Sequence, residues 1–126
     1  MDTYNIETTN RIKVTSQDID DIMSTALEGG INYWCCKAEV VGKRLGEYAS
    51  DQISRGGTLI LHDAESSDSW PLNLETLLAG LTMAVEGDWY SDYEWYGNGE
   101  LDTSQIDAEV ADVIVQLALF EDIVFG

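Results

Sequence analysis

The chain has 126 residues, of which 44% are hydrophobic and only one is proline. This length suits a single domain with one core, and this composition argues against disorder, which combines high charge with few apolar residues. With 24 acidic and 6 basic residues, the formal net charge is −18. Nucleic acid and anionic lipid repel such a chain, so we expect no direct nucleic-acid binding, no membrane binding, and partners with basic surfaces.

The first thirty residues predict a strand followed by a helix. Tyr4–Val14 contains short alternating stretches that are consistent with an opening strand. Thr15 or Ser16 can cap a helix, because either hydroxyl can accept a hydrogen bond from the first helical turn. Apolar residues then recur at helical spacing until Gly29-Gly30, where we expect the helix to end.

The middle of the chain is less decisive. Residues 31–36 are apolar and aromatic, and they fit either a buried helical turn or a strand. Residues 39–42 look extended, and residues 45–54 are ambiguous. Residues 58–63 predict a strand. A turn at 66–69 then leads into a second hairpin strand at 70–72, whose Pro71 suits a sheet edge.

The C-terminal part predicts two more helices separated by a loop. Asn73 can cap the first of them, and residues 88–102 read as a loop. Thr103 or Ser104 would cap the last helix, whose apolar stripe runs from Ile106 to Leu117. Residues 123–125 suggest a short strand. The predicted fold is therefore a single α+β domain, residues 1–126, with about three helices packed on a small, mostly antiparallel sheet.

The charges are unevenly distributed along the chain. Residues 1–55 hold nine acids and all six bases, whereas residues 56–126 hold fifteen acids and no lysine or arginine. A salt-adapted protein spreads acids over its whole surface, so this polarity favours a directed binding surface. The alternative is a structural or accessory protein whose acidic surface serves solubility alone.

The loop at 88–102 is the strongest local signal, because aromatic and acidic residues alternate in it. Carboxylates attract lysine and arginine, and aromatic faces accept a guanidinium or an alkyl stem. We therefore predict a partner-binding segment, helped by acids at the start of the last helix. The predicted contacts are Asp88, Trp89, Tyr90, Asp92, Tyr93, Glu94, Trp95, Tyr96, Glu100, Asp102, Asp107 and Glu109. Some of the five rings should pack inward and at least one or two should reach solvent.

Metal binding is a weaker alternative, and no cofactor is expected. Zinc prefers cysteine and histidine ligands, and the only candidates are Cys35, Cys36 and His62, with Asp63 as an added carboxylate. Adjacent cysteines do not form the usual CxxC pair. The loop at 88–102 fails the EF-hand pattern, which leaves an irregular calcium or magnesium site as the other metal option.

No catalytic signature is present in the sequence. The single histidine could serve only one nucleophilic site, and no serine lies in a nucleophile elbow. There is no P-loop and no GxGxxG motif. We therefore expect a protein that binds without catalysis. The N-terminus has neither the basic nor the apolar region of a secretory signal, which predicts a cytosolic protein.

Three stretches, Glu28–Cys35, Leu45–Gly57 and Ile106–Gly126, resemble a family of small acidic proteins encoded by phages and prophages of Gram-positive bacteria. The resemblance covers roughly residues 15–126. It implies an inhibitor of host defence, most specifically an anti-CRISPR that binds a basic host protein such as Cas9 or its guide-RNA complex. It also implies that the protein acts in the cytoplasm of the infected bacterial host. The family motifs identify no catalytic residue.

Overall fold

The computed structural model describes residues 2–8 and 11–126, which form three α-helices and two sheets. The predicted α+β class is confirmed. The strands, however, form a four-stranded and a three-stranded sheet instead of one small sheet.

The first sheet begins with a hairpin. Strands β1 (Thr3–Glu7) and β2 (Arg11–Thr15) pair antiparallel within the stretch predicted to hold one opening strand. The other two members come from late in the chain: β6 (Tyr96–Gly97) and β7 (Glu100–Leu101). The strand order is β1-β2-β7-β6, and β7 runs parallel to β2.

The second sheet is antiparallel and consists of β3 (Cys35–Val40), β4 (Leu59–Asp63) and β5 (Ser69–Leu72). In the ambiguous stretch 31–36, residues 31–34 form a turn, and Cys35 and Cys36 begin β3. The hairpin predicted around 66–69 is confirmed, and Pro71 lies on an edge strand, where its missing N–H is tolerated. The ambiguous stretch 45–54 is a loop with a 3-10 turn at Ala49–Asp51.

The first two helices begin where the sequence predicts. Helix α1 (Ser16–Thr25) is capped by Thr15, whose hydroxyl accepts from the Asp18 N–H while the Asp18 carboxylate accepts from the Thr15 N–H. It continues as a π-helical turn at Ala26–Gly30. Helix α2 (Leu74–Glu86) is capped by the predicted Asn73.

Helix α3 (Ala108–Phe120) begins later than predicted. Its cap is Asp107, whose carboxylate accepts from the Val110 N–H at 3.0 Å, so the prediction of Thr103 or Ser104 was wrong. Those two residues belong to a separate 3-10 turn, Thr103–Gln105. The short strand predicted at 123–125 was also wrong, since this segment forms no strand.

One apolar cluster joins the helices to both sheets. Helices α2 and α3 pack closely at Gly80, where an added Cβ would lie 2.6 Å from the Ile114 carbonyl oxygen. Within residues 2–8 and 11–126, no helix is both long and apolar enough to cross a bilayer.

Candidate partner-binding surface

We call residues 88–102 the acidic loop. They were predicted to be a loop, and they fold into a 3-10 turn at Ser91–Tyr93 followed by the β6–β7 hairpin. The hairpin is fixed to the first sheet, because the Lys13 N–H on β2 donates to the Gly99 carbonyl at 2.8 Å. The loop is therefore an ordered extension of a sheet.

The backbone of the acidic loop is held in an unfavourable conformation at several positions. Asp88, Tyr90, Glu94 and Asn98 all have φ between 52° and 54°, in the left-handed region. Each such non-glycine residue costs on the order of 1 kcal/mol. Packing elsewhere in the loop must offset this cost.

Trp95 provides that packing. Its side chain is fully buried, its indole N–H donates to the Trp89 carbonyl at 2.9 Å, and its own carbonyl accepts from the Asp102 N–H at 2.8 Å. Trp95 thus joins the start, middle and end of the loop. The prediction that Trp95 contacts a partner is wrong for its side chain, which has no exposed surface.

The other four rings lie nearer the surface. Trp89 and Tyr93 each retain 38% of their accessible surface, and Tyr90 and Tyr96 are half-buried. The Tyr90 and Tyr93 rings are 5.2 Å apart and tilted. The mixture of inward and outward rings agrees with the sequence prediction, and it leaves Trp89 and Tyr93 accessible to a partner.

Three of the predicted contact acids take part in the fold. The Asp88 carboxylate accepts from the Tyr96 hydroxyl at 2.9 Å, Asp102 accepts from the Ser104 N–H at 3.1 Å, and Asp107 caps α3. Partial burial, followed by this contact with Asp88, raises the pKa of Tyr96. These three carboxylates are exposed but already engaged.

Three other acids, Asp92, Glu94 and Glu100, are exposed and unengaged. No hydrogen bond or ion pair reaches their carboxylates from the described parts of the chain. They keep their full capacity to accept hydrogen bonds from a partner's lysine or arginine.

The start of α3 lies next to the acidic loop. Glu109 is beside the hydroxyl of Tyr90. Partial burial raises the pKa of Tyr90, and the negative charge of Glu109 and its hydrogen bond to the phenol raise it further. Asp107 adds a smaller effect in the same direction. The acids at the start of α3 therefore adjoin the acidic loop at Tyr90.

Two clefts flank the β6–β7 hairpin and share Tyr96, Gly97 and Asn98. The first, of about 590 Å³, also holds Glu86 and Asp88. The second, of about 650 Å³, holds three carboxylates and no base, and its acids are Glu94, Glu100 and Asp102. Cationic side chains would meet opposite charge in either cleft.

The charge polarity along the sequence is only partly a polarity in space. Lys13 lies opposite Glu100 in the backbone register of β2 and β7, and Arg11 lies on the same strand as Lys13. Two bases from the first half of the chain therefore neighbour the acidic loop. Acids of the second half are also exposed elsewhere, for example Glu65 and Asp68 on the β4–β5 turn. The acids of residues 56–126 therefore do not form a single surface.

The four candidate metal ligands lie on β3 and β4, but their side chains contact different groups. Cys35 is buried opposite Asp63 in the register, and Cys36 is exposed. The His62 Nε2 lies 2.9 Å from the Glu39 carboxylate. Asp63 accepts from the Ser66 hydroxyl, which lowers the pKa of Asp63. In the described ranges, no three histidine, cysteine or acidic side chains are grouped to hold a metal ion.

Sequence reasoning missed a polar cluster between α3 and the turn that precedes β3. The Asp112 carboxylate accepts from the Tyr33 hydroxyl at 2.5 Å, from the Trp34 indole at 2.8 Å and from the Gln116 amide at 2.9 Å. Partial burial and the hydrogen bond to Asp112 raise the pKa of Tyr33 to about 12. One signal could have revealed the cluster: Gln116 is the single amide within the apolar run of α3, where a polar side chain needs a specific partner.

The comparisons with known proteins identify no relative. No protein-family model matches the chain, and no curated protein and no solved structure matches it significantly.

Proposed function

We propose that this is a phage-encoded inhibitory binding protein, most specifically an anti-CRISPR that acts on Cas9 in the cytoplasm of the infected bacterium. It binds a basic, nucleic-acid-handling surface of the nuclease and blocks it without catalysis. In the nuclease, such surfaces use lysine and arginine to hold a heteroduplex backbone. A protein that places carboxylates where phosphates would lie competes for those side chains.

The observation that carries the proposal is an ordered acidic loop with unengaged carboxylates. Trp95 holds a strained backbone in one conformation, and Asp92, Glu94 and Glu100 project from it without partners in the described chain. An ordered surface loses little conformational entropy on binding, so more of the interaction energy appears as affinity.

The exposed rings complete this surface. Trp89 and Tyr93 offer apolar area beside the free acids, and aromatic residues are common anchors in protein interfaces. An arginine that reaches one of the two clefts would meet carboxylates and the half-buried Tyr96 together. Acids alone would favour encounter with a basic partner, whereas acids beside rings also favour a long-lived complex.

The proposed partner is tested by a binding and cleavage experiment. The protein is mixed with the Cas9–guide complex, and both co-elution and DNA cleavage are measured. We expect a stable complex and lost cleavage. Absence of binding would contradict Cas9 as the target. A pull-down from host lysate would then show whether another basic protein is captured.

A matched pair of variants tests the surface itself. The first carries Asp92→Lys, Glu94→Lys and Glu100→Lys; the control carries Glu28→Lys, Glu47→Lys and Asp68→Lys, which change the net charge equally at exposed sites outside the loop. Like charges across an interface cost several kcal/mol, so we expect affinity to fall about 100-fold or more for the first variant. If the acidity serves solubility alone, the two variants will behave alike.

A further inference from the structure

The last six residues, 121–126, form a segment that we call the strap. Helix α3 ends at Phe120, and Glu121 reverses the chain direction with φ of 56°. The strap then runs back along α3 without pairing to any strand of the described chain. Side chains hold it in place, which is the way that a bound peptide is held.

Gln116 provides the main contact with the strap backbone. Its carbonyl oxygen accepts from the N–H groups of Val124 and Phe125, both at 2.8 Å, and its amide donates to the Phe125 carbonyl at 3.1 Å. The Tyr33 hydroxyl oxygen lies 3.3 Å from the Phe125 carbonyl oxygen, while its single proton is donated to Asp112. Asp112 accepts hydrogen bonds from both Gln116 and Tyr33 and so fixes their positions. We call the side chains that contact the strap the seat, and these hydrogen bonds preorganise it.

An aromatic slot accepts one ring of the strap. The Phe125 ring stacks on Trp34 with centroids 4.9 Å apart and planes 3° from parallel. The rings of Trp70 and Phe120 close the slot in edge-on contact with Phe125, with centroids 6.1 and 5.9 Å from the Phe125 centroid. Val124, by contrast, is 57% exposed. The seat therefore recognises main chain and one aromatic ring, which is how grooves bind extended peptides.

The cleft beside the seat and the strap itself are both acidic, so their charges are not complementary. A cleft of about 200 Å³ extends past Phe125 and Gly126, and Asp63 and Glu65 line it. The strap itself carries Glu121 and Asp122 and no base. A peptide with lysine or arginine just after its aromatic residue would gain opposite-charge contacts that the strap cannot make.

We propose that this seat is a peptide-binding groove for an extended segment of a partner, with phenylalanine followed by basic residues, and that the strap occupies it until such a segment displaces it. The groove is separate from the acidic loop, so this proposal does not depend on the proposed function. The strap acts as a competing intramolecular ligand, and its removal from the seat raises the apparent affinity for a peptide.

The test uses the 126-residue chain and a capped synthetic peptide, Ile-Val-Phe-Gly-Arg-Lys, with tryptophan fluorescence and calorimetry as readouts. We expect the Phe125→Ala variant to bind it at least about 10-fold more tightly than the wild type. Replacing the peptide's phenylalanine by alanine, or adding Gln116→Leu to the variant, should weaken binding at least about 10-fold. The proposal would be overturned if wild type and Phe125→Ala bind the peptide equally. It would also be overturned if neither the alanine replacement in the peptide nor Gln116→Leu changes the affinity.

A second measurement covers the case in which Phe125→Ala fails to fold. Hydrogen exchange on the wild type compares the Val124 and Phe125 amides with those of Ile114 and Val115 in α3. A displaceable strap opens without unfolding α3, so its amides should be at least about 100-fold less protected. Equal protection would mean that the strap opens only when the protein unfolds, and would overturn the proposal.

Discussion

In the strap seat the Asp112 carboxylate accepts three hydrogen bonds, whereas in the acidic loop the carboxylates of Asp92, Glu94 and Glu100 accept none from the described chain. Both regions place acids beside tyrosine and tryptophan rings. The difference shows that position relative to donors, and not residue type, decides whether an acid serves the fold or is available to a partner.

The two regions also differ in how they maintain their shape. The strap seat uses stacked rings and a satisfied polar cluster between α3 and the turn that precedes β3. The acidic loop keeps four left-handed residues in place, and one buried ring, Trp95, offsets their cost. We therefore expect the loop to depend on few residues and its binding to be sensitive to their loss.

The largest effect is expected for Trp95→Ala. Truncating a fully buried tryptophan costs about 3–5 kcal/mol in the free energy of unfolding. Trp89→Ala, at a 38% exposed ring, should cost much less stability. Chemical denaturation of both variants checks this. Similar losses for the two would mean that Trp95 is not the anchor of the loop.

A smaller effect is expected for Asp112→Asn. The amide can accept some of the three hydrogen bonds, but its NH₂ group would oppose a donor, so we expect a loss of about 1–3 kcal/mol. Asp92→Asn is the matched control in the acidic loop and should change stability by less than about 0.5 kcal/mol. If the two substitutions cost the same, the distinction between engaged and free acids fails.

A loss of about 1 kcal/mol is expected for Asp107→Ala, because this removes the cap of α3. Glu109→Ala changes the same helical turn but leaves the cap intact, and it should cost less. The midpoints of urea denaturation provide the comparison. A larger loss for Glu109→Ala would contradict the assignment of Asp107 to the fold.

The smallest expected effect on stability comes from ionisation of the Tyr33 phenol. Its pKa is raised from 10.0 in the unfolded chain to about 12 in the folded protein. Between these two pH values the folded state therefore keeps a proton that the unfolded state has lost. The stability from this pair is complete below about pH 10 and falls as pH rises through about 12. Absorbance at 295 nm, read within milliseconds of a pH jump, should show a late transition that Tyr33→Phe removes. An unchanged titration in that variant would contradict the raised pKa.

Much of the fold could be predicted because its signals are local. Thr15 and Asn73 cap helices through residues three positions away, and Pro71 marks an edge strand within its own hairpin. The error at α3 arose because several residues there can cap. Thr103 instead donates its hydroxyl to Asp21 on α1 at 2.8 Å, a contact that depends on tertiary packing.

The candidate site could be predicted only in outline. The alternation of rings and acids located the acidic loop, but burial of Trp95 and engagement of Asp88 depend on contacts across the folded loop. The tail suggested a strand because Ile123 and Val124 are β-branched. Its N–H groups instead bond to the Gln116 side chain, which no local pattern indicates.

The most direct test of the central claim is the affinity for the Cas9–guide complex of two variants with equal net charge. One carries lysine at positions 92, 94 and 100, and the other carries lysine at positions 28, 47 and 68. We predict that the first binds at least about 100-fold more weakly than the second, with the difference shrinking as salt is raised. Equal affinities at low salt would contradict a directed acidic surface.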